Sequence, residues 1–335
     1  NIIYFKYIFM KLNVGIIGLG YWGKHYIRIV LNSFNSNLVA ICDTRNDFLE
    51  HYSALNNLKI FYSYIDLFNS GIIDTVIITT PASTHYNIIQ EALKYKLNIF
   101  VEKPFVIDLN DALYIKNNIM LDTKLMIGHT YIYSEKINFI KKYLIENSIK
   151  LTSINIEWSS YCNTSAVNDT NAVFDLAVHP LSILLYFFDG CNFKKFNTLV
   201  SKNGFTYIIN FMIDEIIVGL HVSLKSPGKT RRFILSDENI KIVLDDTNDK
   251  SPIKIYSSTK DDYVQGYSKS LILNNYININ QDGTVIVPKI IQNNDSLTIQ
   301  FESFINYVNN NETIISDINF SYKIIELCSN ILNKI

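Results

Sequence analysis

The first part of the chain alternates short apolar runs with longer segments in which apolar residues recur at helical spacing. Five apolar runs predict buried strands, at residues 12–17, 38–42, 75–79, 98–101 and 124–127. Between them, four segments predict helices, at residues 21–33, 47–55, 83–96 and 108–121, the last with Asp108 as its N-cap. Strands that alternate with helices of this length are typical of βαβ units. We therefore predict a doubly wound α/β domain with a parallel sheet over residues 11–130.

After residue 130 the pattern changes to β-rich segments separated by polar turns. Strands are predicted at residues 150–160, 193–201, 206–213, 216–223 and 232–235, and helices at 137–146, 173–188, 297–308 and 320–332. The polar residues 245–290 contain only short strand-like pieces. This order predicts a second, α+β domain over residues 131–335 with a large open, mostly antiparallel sheet. Its closing helices can pack back on the first domain, and we interpret residues 1–10 as an extension, with Met10 as a natural start.

Composition narrows the class of protein further. Hydrophobic residues make up 48% of the 335 residues, enough for a sizeable core, which excludes a disordered chain. The 30 basic and 31 acidic residues give a net charge of −1, which does not favour nucleic-acid binding. The four cysteines, Cys42, Cys162, Cys191 and Cys328, lack metal-ligand spacing and indicate reduced thiols, so we expect a cytoplasmic protein without a metal site. No apolar run is long enough to predict a membrane span.

A glycine-rich motif follows the first predicted strand and opens the first predicted helix. Residues 18–23 have the sequence Gly-Leu-Gly-Tyr-Trp-Gly. In this context Gly18 permits a tight turn, Gly20 lets the backbone approach a pyrophosphate, and Gly23 lets helix and strand pack closely. The free N–H groups of the helix N-terminus face the phosphates. The motif predicts a dinucleotide site.

A carboxylate at the end of the second predicted strand strengthens this interpretation. Asp43 lies 20 residues after Gly23, where it can bind the 2′-hydroxyl of the adenosine ribose, although a strand-end turn residue is the alternative. Because a carboxylate repels a 2′-phosphate, Asp43 favours NAD over NADP. Arg45 keeps NADP open, since its guanidinium can accept that phosphate.

Three further motifs carry candidate chemistry. Residues 79–85 (Thr-Thr-Pro-Ala-Ser-Thr-His) and 102–104 (Glu-Lys-Pro) each follow a predicted strand, where ligands bind in such sheets. Taken alone, they are also compatible with a helix N-cap and a solvated turn. Asp175 and His179 stand four residues apart and can meet on one helix face, which favours a tuned proton-transfer group over a core histidine.

In this order and spacing the motifs resemble the Gfo/Idh/MocA oxidoreductases. That family has a Rossmann glycine loop, a Thr-Pro-x-x-x-His turn, Glu-Lys-Pro, and an Asp-x-x-x-His segment in its second domain. Residues 127–131 (Ile-Gly-His-Thr-Tyr), 169–177, 286–290 and 297–304 also resemble a branch whose members often act in nucleotide-sugar metabolism. The resemblance covers residues 11–333.

The resemblance implies a Rossmann domain followed by an α+β domain whose open sheet forms a homodimer or homotetramer. It implies hydride transfer between NAD and a sugar, with Lys103 as the active-site lysine, His179 as the acid/base and Asp175 as its acidic partner. The implied cofactor-binding residues are Gly18, Gly20, Tyr21, Trp22, Gly23, Asp43, Thr44, Arg45, Thr80, Pro81, His85, Glu102 and Lys103. The implied substrate-binding residues are Lys103, His129, Tyr131, Tyr133, Asn171, Asp175 and His179.

The chain departs from the branch around its candidate acid/base. Val178 precedes His179 and Pro180 follows it, in place of the branch's Pro before the His and its acidic residue after it. We therefore expect a helix break at His179. No arginine occurs between Arg45 and Arg231, so the loop at residues 161–168 lacks the arginine that branch members often use toward a substrate diphosphate.

Three functions remain in competition at this point. The first is an NAD-dependent dehydrogenase or ketoreductase that acts on a sugar, particularly a nucleotide-linked one. The second is redox-neutral glycoside elimination and hydrolysis with tightly bound NAD. The third is a dinucleotide-binding regulator without catalysis, which the presence of Lys103, Asp175 and His179 disfavours. The expected partners are a small-molecule substrate and further copies of this chain, with neither nucleic acid nor membrane.

Overall fold

A computed structural model describes residues 11–52, 58–120, 122–161, 170–257, 285–286, 288 and 295–334. The predicted extension at residues 1–10, Cys162 and the branch-like residues 169, 287 and 289–290 lie outside these ranges. The chain forms two compact units. One contains the residues up to His129 together with Leu297–Lys323, and the other contains Thr130–Ser296 and the residues from Ile324 onward.

The first unit is built on a six-stranded parallel sheet in the order β3-β2-β1-β4-β5-β6. The strands are β1 (Leu12–Ile17), β2 (Ser36–Cys42), β3 (Lys59–Phe61), β4 (Thr75–Ile78), β5 (Asn98–Glu102) and β6 (Leu125–Gly128). The helices are α1 (Tyr21–Asn32), α2 (Asn46–Tyr52), α3 (Tyr64–Asn69), α4 (Ala82–Lys94) and α5 (Leu109–Asn118). This confirms the predicted doubly wound fold.

Local chemistry explains several of these elements. All four residues of β4 are buried, as expected for a β-branched run in the middle of a parallel sheet covered on both faces. Asp108 caps α5 as predicted, because its Oδ1 accepts from the N–H groups of Asn110 and Asp111 at 2.7 and 3.1 Å. The short elements β3 and α3 were not predicted, since a three-residue strand leaves almost no periodic pattern.

The second unit contains an eight-stranded sheet in the order β14-β13-β12-β11-β7-β10-β9-β8. The strands are β7 (Ser153–Tyr161), β8 (Phe193–Val200), β9 (Thr206–Ile213), β10 (Ile216–Ser223), β11 (Lys225–Ser236), β12 (Ile240–Asp245), β13 (Ile253–Ser257) and β14 (Val285–Ile286). Of the described pairings in this sheet, β7 with β10 is parallel and the others are antiparallel. The predicted mostly antiparallel sheet is confirmed.

The helical elements of the second unit begin with a 3₁₀ turn (Thr130–Tyr133) and α6 (Glu135–Glu146). A π-helical turn (Val173–Ala177) runs directly into α7 (Val178–Phe187). The expected break at His179 is therefore wrong. Pro180, the third residue of α7, has no N–H to donate back into the preceding turn, and the irregularity takes the form of the π turn that precedes it.

Two C-terminal helices complete the described chain. They are α8 (Ser296–Asn310) and α9 (Ile318–Leu332). In the first unit, α8 buries Phe301 and Phe304, and the ring of Phe304 lies 5.5 Å from that of Phe100 on β5. Gln300 Nε2 on the same helix donates to the carbonyl oxygen of Ile127 at 3.3 Å, next to the end of β6. None of the described helices has the length and apolar character needed to cross a membrane.

Candidate cofactor and active site

The glycine motif forms an open cradle between β1 and α1. Gly18 has φ +90°, and a Cβ there would lie 2.8 Å from the backbone nitrogen of Thr80. A Cβ at Gly23 would collide with the carbonyl oxygen of Gly18, whereas a Cβ at Gly20 would meet nothing within 4 Å. The N-cap residue of α1 is Gly20, which makes no side-chain cap bond to the first-turn N–H groups. The space at Gly20 and a helix N-terminus without a capping side chain at this residue suit a dinucleotide pyrophosphate.

Asp43 at the end of β2 holds this cradle in place. Its Oδ2 accepts from the N–H of Leu19 at 2.7 Å, and its Oδ1 accepts from the N–H of Arg45 at 2.9 Å. Arg45 extends outward with its guanidinium 3.4 Å from the centre of the Phe48 ring, and its Nε lies 3.7 Å from Oδ1 of Asp43. Each carboxylate oxygen keeps a further lone pair, so a contact with a ribose hydroxyl is compatible with these bonds.

A cavity of about 570 Å³ opens at this edge of the sheet. Its size is typical of small-molecule sites. Seven of the residues implied for the cofactor line it: Gly18, Gly20, Asp43, Thr44, Arg45, Thr80 and Pro81. Thr79 and Thr84 also line it and belong to the predicted motif at residues 79–85, whereas five lining residues were not predicted: Ile17, Cys42, Tyr62, Tyr64 and Ile88. The sequence analysis did not identify Tyr62 and Tyr64, because they lie just beyond β3 and at the start of α3, two elements that the sequence pattern did not predict.

The other implied cofactor residues, all of which the structure describes, do not line this cavity. Tyr21 and Trp22 lie on the first turn of α1, where their rings contact that of His25, and Tyr21 is 72% exposed. Glu102 and Lys103 lie further along the same carboxyl edge, at the end of β5. Cys42 lines the cavity as a free thiol whose pKa burial raises to about 12, with the charges of Asp43 and Asp66 adding to the rise.

Hydrogen bonds join the turn after β4 to the glycine cradle and to α4. Thr79 Oγ1 donates to the carbonyl oxygen of Gly18 at 2.5 Å. Thr84 Oγ1, in the first turn of α4, contacts both the Thr80 hydroxyl and the Pro81 carbonyl oxygen at 2.7 Å. The hydroxyl groups of Thr79 and Thr84 thus fix the backbone that carries Thr80 and Pro81 at the cavity wall.

His85 connects that turn to the one that carries Lys103. The imidazole is 1% exposed. Its Nε2 lies 2.8 Å from the carbonyl oxygen of Thr80, and its Nδ1 lies 2.9 Å from the carbonyl oxygen of Pro104. The predicted cofactor residue is therefore placed behind the cavity wall, where it bridges the two candidate turns.

Glu102 is buried at the end of β5 beside Lys103. Its Oε1 accepts from the hydroxyl of Tyr26 at 2.7 Å, and its Oε2 accepts from the N–H of Lys103 at 3.2 Å. Burial raises the pKa of Glu102, although the Tyr26 bond and the Lys103 charge act in the opposite direction. A Cβ at Gly128 would lie 3.0 Å from Oε1 of Glu102, so the glycine of the Ile-Gly-His segment makes room for this carboxyl.

His129 follows Gly128 and is also buried, at 2% exposed. Burial, and then the charge of Lys103, lowers its pKa to about 3, so the imidazole is neutral at physiological pH. Its ring lies 5.8 Å from that of Phe320, and neither ring nitrogen has a hydrogen-bond partner among the described residues. The half-buried Lys103 is therefore flanked by a carboxyl group and a neutral imidazole.

In the second unit, His179 lies in an aromatic cluster. The centre of its ring is 5.0 Å from that of Tyr131 and 6.1 Å from that of Trp158. Trp158 in turn lies 4.8 Å from the guanidinium of Arg231, which donates through Nη1 to the carbonyl oxygens of Ser159 and Thr230. Burial raises the pKa of Tyr131, while the charge of Arg231 opposes that rise. Trp158 and Arg231 were not predicted, because they lie on strands that appeared purely structural.

The π turn positions the other implied residues of the second unit. The side-chain oxygen of Asn171 accepts from the N–H groups of Val173 and Phe174 at 3.0 and 3.1 Å, so this side chain caps the turn. Asp175 lies within the turn, half-buried, and Tyr133 is buried at the end of the 3₁₀ turn. No cluster of metal-ligating side chains occurs in the described part of the chain.

The fold and the cradle define a dinucleotide-binding domain, and a family model matches this part of the chain. Residues 12–120 match the model of the Gfo/Idh/MocA oxidoreductase family, described as an NAD-binding Rossmann fold. The match confirms the resemblance over these residues and, with it, the NAD-type cofactor.

The individual proteins that match the chain in sequence have low identity to it and match only part of its length. The chain is 25% identical over 139 residues to 2,7-anhydro-N-acetylneuraminate hydratase of Escherichia coli, covering 41% of this chain and 37% of that protein. It is 22% identical over 183 residues to inositol 2-dehydrogenase of Salmonella typhimurium, covering 52% of this chain and 54% of that protein. These matches span about half or less of either relative.

A solved structure matches over almost the whole length. It is UDP-N-acetylglucosamine 3-dehydrogenase GnnA from Acidithiobacillus ferrooxidans, with a TM-score of 0.79 and 16% identity, covering 97% of this chain and 98% of that one. At this identity the likeness supports the shared two-domain fold and nothing finer.

Proposed function

We propose that the protein is an NAD-dependent oxidoreductase that interconverts a secondary alcohol and a ketone on a sugar. The observation that carries this proposal is the setting of Lys103. The lysine is half-buried at the carboxyl end of β5, next to a buried carboxyl group and a neutral histidine, on the same sheet edge as the dinucleotide cradle.

Roles for Lys103 and His179 in this reaction are proposed from the resemblance, and each residue is described within its own unit. When bound, the nicotinamide supplies the hydride acceptor or donor. The ammonium of Lys103 stabilises the negative charge that develops on the substrate oxygen. A ring nitrogen of His179 takes the hydroxyl proton during oxidation and returns it during reduction, a role suited to imidazole near neutral pH. Asp175 would orient that imidazole or hold a neighbouring sugar hydroxyl.

The residues around these groups are compatible with a polyol. Tyr131 and Trp158 offer aromatic surface and polar groups beside His179. His129, Tyr133 and Asn171 remain proposed substrate contacts, and the capping bond of Asn171 leaves its amide N–H groups for such a role. A nucleotide-linked sugar is the substrate class that we favour, because residues 127–131 and 297–304 resemble the branch whose members often act in nucleotide-sugar metabolism.

Asp43 supports NAD rather than NADP as the preferred cofactor. Its buried carboxylate is anchored by two backbone N–H groups at the cavity wall, where a 2′-phosphate would meet its charge. The guanidinium of Arg45 already stacks on Phe48 and lies close to Asp43, and these contacts would have to change before it could bind a 2′-phosphate.

A redox-neutral reaction is the second candidate, favoured by the similarity to a hydratase. In that case NAD would be reduced and reoxidised within one turnover. The test is to incubate the purified protein with NAD and a panel of sugars, nucleotide sugars and inositols while recording both NADH absorbance and product mass. Net NADH formation supports the dehydrogenase. Product without net NADH supports the redox-neutral reaction, and binding of NAD without any turnover supports the regulator.

We also propose that the open face of the second sheet joins copies of this chain into a homodimer or homotetramer. Leu199 and Ile208 are paired across β8 and β9 and are 60% and 48% exposed, and Ile217 on the neighbouring β10 is 63% exposed on the same face. Apolar side chains grouped on one sheet face favour association.

A further inference from the structure

We infer that His85 is an imidazolium cation at neutral pH, and that its two N–H groups join the Thr80 turn to the Lys103 turn. Both ring nitrogens lie within hydrogen-bond distance of backbone carbonyl oxygens, at 2.8 and 2.9 Å. Carbonyl oxygens only accept hydrogen bonds, and a neutral imidazole has a single N–H. A neutral ring would therefore place a nitrogen lone pair against an oxygen lone pair at one of the two contacts.

Because the imidazole is buried, both of its nitrogens need a proton to make these hydrogen bonds. At 1% exposure, water cannot replace either contact, and an unmade hydrogen bond in the interior is costly. The cost of burying the charge is offset by two charge-assisted bonds, which are stronger than neutral ones. His129, the other buried histidine of this unit, shows the opposite case: it has no acceptor among the described residues and is neutral.

The ionisable groups closest to His85 along these contacts lie at the end of β5 and on α1, α4 and α5. Glu102 and Lys103 stand on the turn whose Pro104 carbonyl His85 contacts, and Tyr26 on α1 reaches that turn through Glu102. The first turn of α4 carries no acidic residue, and the pKa of Tyr86 on this helix is raised first by burial and then by the charge of Asp111 on α5. Among these groups, the buried carboxyl of Glu102 can balance the positive charges of His85 and Lys103.

The consequence for ligand binding rests on the proposed function. Thr80 lines the cofactor cavity, and a cation fixed behind it favours a bound pyrophosphate electrostatically. Loss of the proton at high pH would release one of the two bonds and loosen both turns. We therefore expect His85 to act as a positioning residue that couples NAD affinity to pH.

The direct test is nitrogen-15 NMR of the histidine rings in the full-length protein at about pH 8, where an unperturbed histidine is neutral. His85 should show two protonated ring nitrogens, and its contacts to Pro104 would assign it without a variant. His129 should show one protonated nitrogen and one lone pair in the same spectrum. A His85 ring with one unprotonated nitrogen at this pH would overturn the inference.

A binding measurement tests the coupling. His85→Gln should weaken NAD binding about tenfold, as expected for the loss of one charge-assisted bond. His51→Gln on the exposed part of α2 is the matched control and should leave the Kd unchanged. An unchanged Kd in a folded His85→Gln protein would refute the coupling. A protein that shows the doubly protonated ring yet oxidises no sugar would refute the proposed function and leave this inference standing.

Discussion

The hydroxyl of Tyr26 on α1 donates to the carboxylate of Glu102 at the end of β5, across 2.7 Å and with both side chains buried. This bond ties the helix that begins at the dinucleotide cradle to the residue next to Lys103. Burial and the negative charge of Glu102 raise the pKa of Tyr26, so the phenol keeps its proton and remains a donor. The cradle and the candidate lysine are thus joined through the interior of the first unit.

Removing this hydroxyl should destabilise the first unit. Tyr26→Phe leaves Oε1 of Glu102 without its buried donor, and we expect a loss of about 1.5–3 kcal/mol in the free energy of unfolding, the usual range for bonds to charged groups. Urea unfolding followed by circular dichroism measures it. Tyr95→Phe, which loses a bond to Asn69 at the surface, is the control and should cost much less. Equal losses in the two variants would contradict the special role of the buried pair.

The neutral His129 should make the protein less stable toward acid. Its folded pKa of about 3 lies below the ordinary histidine pKa of 6.5, so the unfolded state binds more protons as the pH falls from 6.5 toward 3. Stability should therefore decrease over that window, with a contribution of at most about 1.4 kcal/mol per pH unit. His129→Phe should remove this contribution in urea unfolding measured from neutral to acidic pH. An unchanged slope would show that His129 is protonated in the folded protein.

Asp43 should determine both cofactor choice and cofactor affinity. The unmodified protein should bind NAD more tightly than NADP, and Asp43→Ala should narrow that difference. Because the same change removes the acceptor for the Leu19 and Arg45 N–H groups, NAD binding should also weaken by about ten- to a hundredfold. Isothermal titration with both cofactors measures the effect. Comparable dissociation constants in the unmodified protein would instead indicate that Arg45 accepts the 2′-phosphate.

Substitution should separate the roles of the two candidate catalytic groups. His179→Ala should lower kcat by about 10²–10⁴-fold, the usual contribution of general acid–base catalysis, and leave NAD binding intact. It should also remove an ionisation near neutral pH from the rate profile. Lys103→Ala should abolish turnover and raise KM more, because its ammonium contacts the substrate in the ground state as well. Full activity in His179→Ala would transfer the proton-carrying role to Tyr131, Tyr133 or Lys103.

A charge on the open sheet face should weaken self-association. Ile208→Asp places a carboxylate opposite Leu199 in the proposed contact, and we expect a lower mass in analytical ultracentrifugation at micromolar concentration. Ile65→Asp on the exposed side of α3 is the control and should keep the parent mass. A monomeric parent protein would refute this assembly.

The sequence revealed the parts of the fold that have strong patterns. Strands β9 and β10 have the predicted boundaries because buried and exposed residues alternate along them and Asp214 and Glu215 form the turn between them. The cavity wall at Tyr62 and Tyr64 was missed because β3 spans three residues.

Side-chain roles were less accessible than backbone elements. Tyr26 fits the apolar stripe of α1, and nothing in its spacing shows that its hydroxyl meets Glu102. The capping role of Asn171 and the placement of Arg231 beside Trp158 depend on a π turn and a strand pairing, which no periodic pattern encodes. Tertiary contacts of this kind appear only when the strands and turns are assembled.

The extra residue in the π turn before α7 sets the direction in which the side chain of His179 points. The N–H of Val178 points to the carbonyl oxygen of Val173, five residues earlier, so this turn holds one residue more than an α-helical turn would. Each residue advances a helix by about 100°. A deletion of one residue here would restore regular α-helix and rotate the side chain of His179 by about that angle relative to the residues before it. The direction of the His179 side chain therefore depends on the number of residues in the π turn. A one-residue deletion in this turn would reorient the proposed acid/base without changing any residue of α7.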